Sequence, residues 1–226
     1  ACSRIPVPAV ARDEGRANLV ANLGPRTLGL LWLGHLDTIP LLPDEALGAR
    51  RDGTTLYGLG SADMKGGCAA IVEAMAAVRE AAIPLKRGVC AALVVGEEEF
   101  GDGALVLPDT LQAPITIVGE PTGNLPCLSH YGYLEIHLHA EGSRAHAALP
   151  DVGASAISAM LSWLKALVDA FSTESESGNL VLNIRNIDGG ESRFVVADRC
   201  SAVADIHLTP PLQRAPIRET IEAVFQ

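Results

Sequence analysis

Three short, uninterrupted apolar runs in the first half of the chain limit its fold more than any other feature. They span residues 27–33, 88–95 and 115–118. Each run is too short for a helix, and each suits a strand that is buried on both faces. Residues 64–81 carry apolar side chains one helical turn apart and precede Pro84, so they predict an amphipathic helix. The order strand, helix, strand, strand predicts an α/β sheet.

The segments around these runs predict a hairpin before the sheet and a separate unit after it. Residues 7–11 and 17–23 are short apolar stretches around a Gly-containing polar turn, which is typical of two paired strands. After residues 122–128, where we expect a domain boundary, residues 133–140 alternate apolar and polar side chains like a half-exposed antiparallel strand.

The rest of the second half predicts a β-α-β-β-α unit. Residues 151–171 form an amphipathic pattern that Asp151 can cap, just after Pro150. Two further strands are predicted near 180–187 and 194–207, and a closing helix begins at about residue 215.

Composition excludes several partners. The 226 residues carry 17 Lys and Arg against 27 Asp and Glu, a net charge of -10 without a basic stripe, which argues against nucleic-acid binding. No apolar run approaches the roughly 18 residues needed to cross a bilayer, so we expect no membrane anchor. The five cysteines contain no CxxC pair and predict reduced thiols in a cytoplasmic protein.

Ionisable residues follow each of the three buried runs. His35 and Asp37 follow the first, Glu97 to Glu99 the second and Glu120 the third, while Asp63 precedes the helix. Ligands bind at the carboxyl ends of parallel strands, so these side chains can converge on one crevice. Their mutual repulsion requires a cation, and His with Asp and Glu is a zinc-type ligand set.

Each of these residues taken singly has a simpler interpretation. His35 could be a hydrogen-bonded loop residue, and residues 97–99 could be a solvated acidic loop. Asp63 could merely cap the following helix, and Glu120, before Pro121, could open a turn. The coincidence of four such positions at strand ends favours the metal site.

Four motifs in the right order resemble those of one family. They are GHLDTIP at 34–40, LYGLGSADMKGG at 56–67, GEEEFG at 96–101 and GEPT at 119–122. The chain resembles the acetylornithine deacetylase, succinyl-diaminopimelate desuccinylase and glutamate carboxypeptidase family of metallopeptidase-like amidohydrolases, with most similarity to the acetylornithine deacetylase branch. The resemblance runs from about residue 12 to the end of the chain.

The resemblance implies an α/β fold with two domains. Residues 1–125 would form a zinc-exopeptidase-like catalytic domain with a parallel-rich sheet, and residues 126–226 an α+β, ferredoxin-like lid that also makes a homodimer contact. The family returns to the catalytic domain after the lid and supplies a final His ligand there. We therefore expect a catalytic segment beyond Gln226 that the present sequence does not contain.

The resemblance also implies roles for individual residues in a site with two divalent ions, usually zinc, with cobalt or manganese as alternatives. His35, Asp63, Glu99 and Glu120 would be metal ligands, and Asp63 would bridge the two ions. Glu98 would be the general base, Asp37 would orient His35, and Glu97 would fall outside the chemistry. Neighbouring residues of an extended chain point in opposite directions, so Glu98 and Glu99 could take different tasks.

The lid contributes three further candidates. GSRAHA at 142–147 matches the motif whose His, here His146, would stabilise the developing oxyanion in the partner subunit's site. Phe194 and His207 stand where the family usually has Asn and Arg that help to hold the substrate's carboxylate. An apolar ring and a neutral imidazole cannot replace those contacts, so the substrate is less certain than the reaction.

The resulting hypothesis is metal-dependent hydrolysis of the amide bond of an N-acyl amino acid, as in amino-acid biosynthesis, with acetylornithine as the leading substrate. Two alternatives remain open at this point. One is a dipeptidase or carboxypeptidase of the same family. The other is a non-catalytic scaffold or binding protein on this fold, which the substitutions at Phe194 and His207 and the missing final His would suit.

Overall fold

The chain divides into two compact units, Ala1–Pro126 and Cys127–Gln226. The computed structural model describes residues 2–8, 15–41, 48–108, 111–190 and 193–225. The first unit is an α/β unit with a mixed parallel and antiparallel sheet, and the second is an antiparallel sheet with helices. Together they confirm the predicted fold class.

The first unit is built on a five-stranded sheet with the strand order β1-β2-β6-β3-β7 in the part of the chain that the structure describes. The strands are β1 (Cys2–Pro6), β2 (Ala17–Leu23), β3 (Leu28–His35), β6 (Gly88–Val94) and β7 (Thr116–Val118). β3 runs parallel to both β6 and β7, whereas β1, β2 and β6 pair antiparallel.

The first two predicted runs form the centre of this sheet as β3 and β6, because they are apolar on both faces. The prediction that the third run is buried on both faces is wrong, since β7 pairs only with β3 among the described strands and its residues are exposed. Residues of β6 from Cys90 to Val94 are all buried, and Val20, Leu28 and Leu31 of the neighbouring strands pack against this strand's side chains. Helix α1 (Gly66–Glu80) follows the second motif and places Cys68 against Met64 and Leu93. The prediction of a helix at 64–81 is confirmed, with a start two residues later.

The remaining elements of the first unit are small. They are the hairpin of β4 (Arg50–Asp52) with β5 (Thr55–Tyr57), an irregular helical turn at Ser61–Lys65, and α2 (Asp102–Leu105). β7 lies at the end of the strand order, and its residues are exposed, including Ile117 and Val118.

The predicted position of the first hairpin strand is wrong. The strand that pairs with β2 is Cys2–Pro6, not residues 7–11. Val7 donates its backbone N–H to the carbonyl oxygen of Arg16 and closes the ladder there, and Pro8, which has no N–H, cannot extend it. Residues 9–11 of the predicted strand lie outside the described residues.

The second unit has the predicted β-α-β-β-α order. Its strands β8 (Gly132–Glu141), β9 (Leu180–Gly189) and β10 (Arg199–Leu208) pair antiparallel in the order β8-β10-β9. Its helices are α3 (Ala156–Ala170), the short α4 (Ser172–Glu176) and α5 (Arg214–Val224). The even-numbered residues of β10 from Cys200 to Leu208 are buried against apolar side chains of α3 and α5, so both helices cover one sheet face.

Two boundaries in the second unit differ from the prediction. Asp151 does not cap the long helix, because it lies in a separate helical turn, Pro150–Val152. The helix begins after Ser155, whose hydroxyl oxygen accepts the N–H of Ser158 at 3.2 Å. The last strand begins at Arg199 rather than at 194, since Phe194 adopts φ 63°, which breaks a strand.

No helix among the described residues combines the length and the hydrophobicity that crossing a bilayer requires.

Candidate metal centre

The parallel arrangement of β3, β6 and β7 brings three strand ends to one edge of the sheet. β3 ends at His35, which is in register with Val94 at the end of β6. β7 ends at Val118, directly before Gly119 and Glu120. The predicted convergence of His35 with the residues after β6 and β7 is therefore a consequence of the sheet topology.

His35 lies at the centre of a group of carboxylates. Its imidazole is 1% exposed, and Nε2 lies 3.0 Å from Oδ1 of Asp63. The same nitrogen lies 3.9 Å from Oε2 of Glu97 and 3.9 Å from Oε1 of Glu120. One ligand atom each of His35, Asp63 and Glu120 lie within 4.8 Å of one another, and each comes from a different chain segment.

The other imidazole nitrogen determines how this group can be neutralised. Nδ1 lies 3.1 Å from the backbone carbonyl oxygen of Asp37, which can only accept, so Nδ1 carries a proton and donates it. In the neutral imidazole, the lone pair of Nε2 then faces three carboxylates. Such a donor set needs a proton or a cation, and a nitrogen with carboxylate oxygens is the set that zinc and similar ions bind. The residues present therefore fit a divalent cation.

The pKa values agree with strong electrostatic coupling. Burial alone lowers the pKa of His35, but the hydrogen bond to Asp63 and the charges of Glu120 and Glu97 raise it above its ordinary value. Burial raises the pKa of Glu120; the charge of His35 opposes this, and those of Asp63 and Glu97 add to it. Burial and the charge of Asp63 likewise raise the pKa of Glu98. Clusters of perturbed groups at a strand edge are typical of functional sites.

Asp37 contacts the site in a way that the sequence did not indicate. Its carboxylate Oδ1 lies 3.7 Å from Nδ1 of His35, beyond hydrogen-bond distance, and its backbone carbonyl makes the bond to the ring instead. Its Oδ2 accepts the backbone N–H of Glu98 at 3.0 Å. Oδ1 is buried without a hydrogen-bond partner among the described residues. The carboxylate thus holds the segment that follows β6.

This segment, residues 95–103, is called the acidic loop below. Its glutamates sit in a turn rather than an extended chain, because Phe100 and Gly101 both donate their N–H groups to the carbonyl oxygen of Gly96. The predicted extended conformation at Glu98 and Glu99 is therefore wrong. The carboxylate of Glu97 points at His35, whereas Glu99 lines a cavity of about 330 Å³ together with Arg16, Leu36, Asp37 and Thr38.

The position of Glu97 beside His35 was not predicted from the sequence. The motif register gave Glu97 no chemical role. Its Oε2 nevertheless lies 3.9 Å from Nε2 of His35, the shortest distance to that ring that the structure gives for residues 97–99. The turn signal was present in Gly96 and Gly101, which adopt φ 79° and 64° and allow the chain to fold back. The predicted role of Glu99 as a metal ligand stays a prediction, because Glu99 is not in the group of ligand atoms around His35 found among the described residues.

The three candidates of the second unit fall at two places within it. His146 bridges to Val195, and Ala147 donates its N–H to the carbonyl oxygen of Phe194, so His146 and Phe194 are close neighbours. Phe194 is 72% exposed. His207 lies near the end of β10, and its ring centroid is 5.2 Å from that of Tyr133. His207 is therefore part of the open sheet face, and its predicted contact with substrate stays a prediction.

The open face of this sheet carries a second group of ionisable residues, called the sheet-face cluster. The hydroxyl of Tyr133 donates to Asp205 at 2.9 Å, and it also lies 3.1 Å from Glu135. Arg185 donates to Glu135 at 2.6 Å, and its guanidinium is 3.5 Å from Asp205. His137 completes the cluster through a contact with Glu135. Opposite charges are paired here, so the cluster needs no added cation.

Comparison with known proteins relates both units to one group of enzymes. Residues 128–226 match the peptidase dimerisation domain of the M20 family. The acetylornithine deacetylase of Photorhabdus laumondii is 31% identical over 92% of the chain, and that of Proteus mirabilis is 30% identical over 92%. The chain spans 57% of the length of each of these relatives.

Solved structures show the same fold. An M20 family metallo-carboxypeptidase from Sulfolobus solfataricus has a TM-score of 0.74 at 14% identity, and the match covers 100% of this chain and 66% of the other. A tripeptidase from Staphylococcus aureus has a TM-score of 0.65 at 23% identity, and the match covers 92% of this chain and 56% of the other.

Proposed function

We propose that the chain belongs to the M20 family, whose peptidase dimerisation domain residues 128–226 match, and that it is a metal-dependent amidohydrolase that removes the acyl group from an N-acyl amino acid. The observation that carries the proposal is the convergence of His35, Asp63 and Glu120 from three chain segments. The similarity to acetylornithine deacetylases supports an N-acetyl amino acid as the substrate class.

In this proposal, His35, Asp63 and Glu120 hold a divalent cation, with zinc as the first choice and Glu99 as a ligand for a second ion. The cation supplies positive charge that polarises the amide carbonyl of the substrate. The backbone carbonyl of Asp37 fixes the ring of His35 so that Nε2 faces the carboxylates. Residues 1–125, which correspond to the first unit, are the proposed catalytic domain.

Glu98 is the proposed general base. Burial and the charge of Asp63 raise its pKa, which suits a carboxylate that must accept a proton and later release it. It takes a proton from the attacking water as the oxygen bonds to the amide carbon, and it delivers that proton to the leaving amine as the C–N bond breaks. In this proposal, His146 donates a hydrogen bond to the developing oxyanion in the partner subunit's site, and Phe194 and His207 stand at the positions proposed for substrate contacts.

Residues 126–226, which correspond to the second unit, are the proposed lid and the contact of a homodimer. The match to a peptidase dimerisation domain supports this assignment. β9 is an edge strand of its sheet, and Val181, Ile184 and Ile187 on it are exposed.

The five cysteines are all free thiols, which supports a reducing, cytoplasmic location.

Zinc titration of the metal-free chain by calorimetry tests the centre of the proposal. We expect saturable binding that His35→Asn weakens at least about tenfold, because it removes the nitrogen ligand of the group that the described residues form. His130→Asn, which alters an exposed imidazole, should bind as the original chain does. Absence of saturable binding by the original chain would contradict the proposal.

Turnover of a panel of N-acetyl amino acids and dipeptides tests the reaction and its substrate class. We expect Glu98→Gln to keep the metal affinity and to lose about 10²- to 10⁴-fold in kcat, the usual contribution of a general base. Unchanged turnover by this variant would remove Glu98 from the mechanism. A preference for dipeptides over N-acetyl amino acids would contradict the deacetylase assignment and favour a dipeptidase.

A further inference from the structure

We propose that Asn18 and Arg16, two residues remote in sequence from every motif, are positioning residues that preset the acidic loop so that Glu97 faces His35. The inference rests on the proposed function, because the acidic loop carries Glu98, the proposed general base, and Glu99, a proposed metal ligand. Asn18 lies on β2, and Arg16 directly precedes that strand.

Asn18 joins the two ends of the acidic loop with a single side chain. Its Nδ2 donates to the carbonyl oxygen of Gly103 at 2.7 Å, and its Oδ1 accepts the N–H of Val95 at 3.1 Å. The side chain is fully buried, at 0% exposed. Because a buried amide must satisfy both its donor and its acceptor, this arrangement fixes the distance between the first and last residues of the loop.

Arg16 fixes the same loop through a fork of two hydrogen bonds. Its Nη1 lies 2.7 Å from Oδ2 of Asp102, and its Nη2 lies 2.9 Å from Oδ1. Both side chains are largely buried, at 12% and 21% exposed. The hydrogen bonds from Arg16 hold the pKa of Asp102 below its ordinary value, so the pair stays ionised.

The ion pair also packs directly on the turn that directs the glutamates. A Cβ atom built on Gly96 would lie 2.0 Å from Oδ1 of Asp102 and 2.1 Å from Nη2 of Arg16. Gly96 adopts φ 79°, and its carbonyl oxygen receives the two N–H groups that close the turn. The pair and the glycine therefore define one conformation of the turn between them.

The middle of the loop has a third anchor in the bond from the N–H of Glu98 to Asp37. With both ends and the middle held, the turn sends Glu97 towards Nε2 of His35 and Glu99 towards the cavity that Arg16 and Asp37 line. The direction of Glu97 is thus imposed by residues of β2 and not by the glutamate triplet itself. Groups next to the ligands that orient a metal site in this way typically contribute about 10- to 100-fold to metal affinity.

Conservative substitutions test the inference in the whole chain. Arg16→Lys keeps the charge but loses the fork, and Asn18→Asp keeps the acceptor for Val95 but loses the donor to Gly103. Val20→Ala is the matched control, because it removes core volume from the same strand, where Val20 is 2% exposed. Zinc affinity and the urea midpoint are measured for each variant, and amide hydrogen exchange is followed at residues 96–101.

We expect Arg16→Lys and Asn18→Asp to weaken zinc binding about tenfold or more and to speed amide exchange in the acidic loop. Val20→Ala should lower the urea midpoint, while its zinc affinity and its amide exchange in the acidic loop should equal those of the original chain. Glu97→Gln should weaken zinc binding by a similar factor and add little to Arg16→Lys, since the two act on one contact.

Equal zinc affinity and equal loop exchange in Arg16→Lys, Asn18→Asp and Val20→Ala would overturn the inference and leave these residues a purely structural role. Failure of the original chain to bind zinc would instead count against the proposed function. In that case the loop exchange rates alone decide the inference, and unchanged rates in both variants would overturn it.

Discussion

In the first unit, ionisable side chains converge at the ends of parallel strands, whereas in the second they spread across the open face of an antiparallel sheet. His35 faces three carboxylates without a compensating side-chain cation close to Nε2 among the described residues. In the sheet-face cluster, Arg185 lies between Glu135 and Asp205 and gives each of these carboxylates a positively charged neighbour. An unbalanced cluster lowers stability until a ligand arrives, and a balanced one raises it. The first arrangement therefore indicates function and the second indicates structure.

The variant Glu120→Gln in the metal-free chain should give the largest effect that distinguishes the two clusters. Burial, together with Asp63 and Glu97, raises the pKa of Glu120 against the opposing effect of His35. A carboxyl with a raised pKa favours folding below its unfolded pKa and loses that contribution as the pH rises through the folded value. At neutral pH its charge is thus unfavourable. The neutral amide should raise the free energy of unfolding by about 1 kcal/mol. The gain is modest because the side chain is 36% exposed and solvent screens its charge.

Urea unfolding with EDTA measures this gain. With excess zinc the order should reverse, because the original chain gains binding energy that the variant has lost. Glu73→Gln, at an exposed position of α1, should change neither value. A Glu120→Gln variant that is less stable than the original chain in EDTA would remove the distinction between the two clusters.

The opposite sign is expected for Glu135→Gln in the sheet-face cluster. Hydrogen bonds from His137 and Arg185 lower the pKa of Glu135, although burial opposes the shift. A lowered pKa contributes stability above the unfolded pKa, and that stability is lost as the pH falls through the folded value. The variant should lose about 0.5 kcal/mol of unfolding free energy at pH 7, as partly exposed pairs do. The loss should vanish on acidification.

Urea midpoints of the two chains at pH 7 and at acid pH check this expectation. Glu141→Gln on the same strand is the matched control, since the structure gives its carboxylate no hydrogen bond among the described residues. Equal midpoints at pH 7 would mean that the cluster contributes nothing to stability.

The smallest effect should appear at alkaline pH. Burial, with hydrogen bonds to Asp205 and Glu135, raises the pKa of Tyr133 to about 12. The raised pKa contributes stability below the unfolded value of about 10, which is lost as the pH rises towards the folded value. Spectrophotometric titration of the phenols should show one late step that Tyr133→Phe removes. Completion of the whole titration near pH 10 would show that the cluster does not protect this hydroxyl.

The sequence predicted those parts of the site that follow from regular structure. His35 and Glu120 could be brought together because continuous apolar runs indicate neighbouring parallel strands, whose ends share an edge. Asp63 was placed correctly near them, since the irregular turn before α1 returns to that edge. The predicted order of elements in the second unit was confirmed for the same reason: periodicity is a strong signal in long segments.

The parts that were missed depend on contacts between distant residues. The bonds from Asn18 to Val95 and Gly103 cannot be read from any local pattern. They nevertheless decide the shape of the acidic loop and so the direction of Glu97. Asp151 and Ser155 are both good helix caps by residue type, and only the fold of the segment 150–155 decides in favour of Ser155.

The open edge of β7 has a consequence for the behaviour of the chain in solution. No described strand pairs with its outer side, and Ile117 and Val118 on it are about half exposed. Unpaired strand edges recruit strands of other molecules, and the usual outcome is aggregation. The net charge of -10 opposes this by repulsion between molecules, but salt screens such repulsion. The colloidal stability of concentrated solutions should therefore fall as ionic strength rises, even where the fold itself is unaffected.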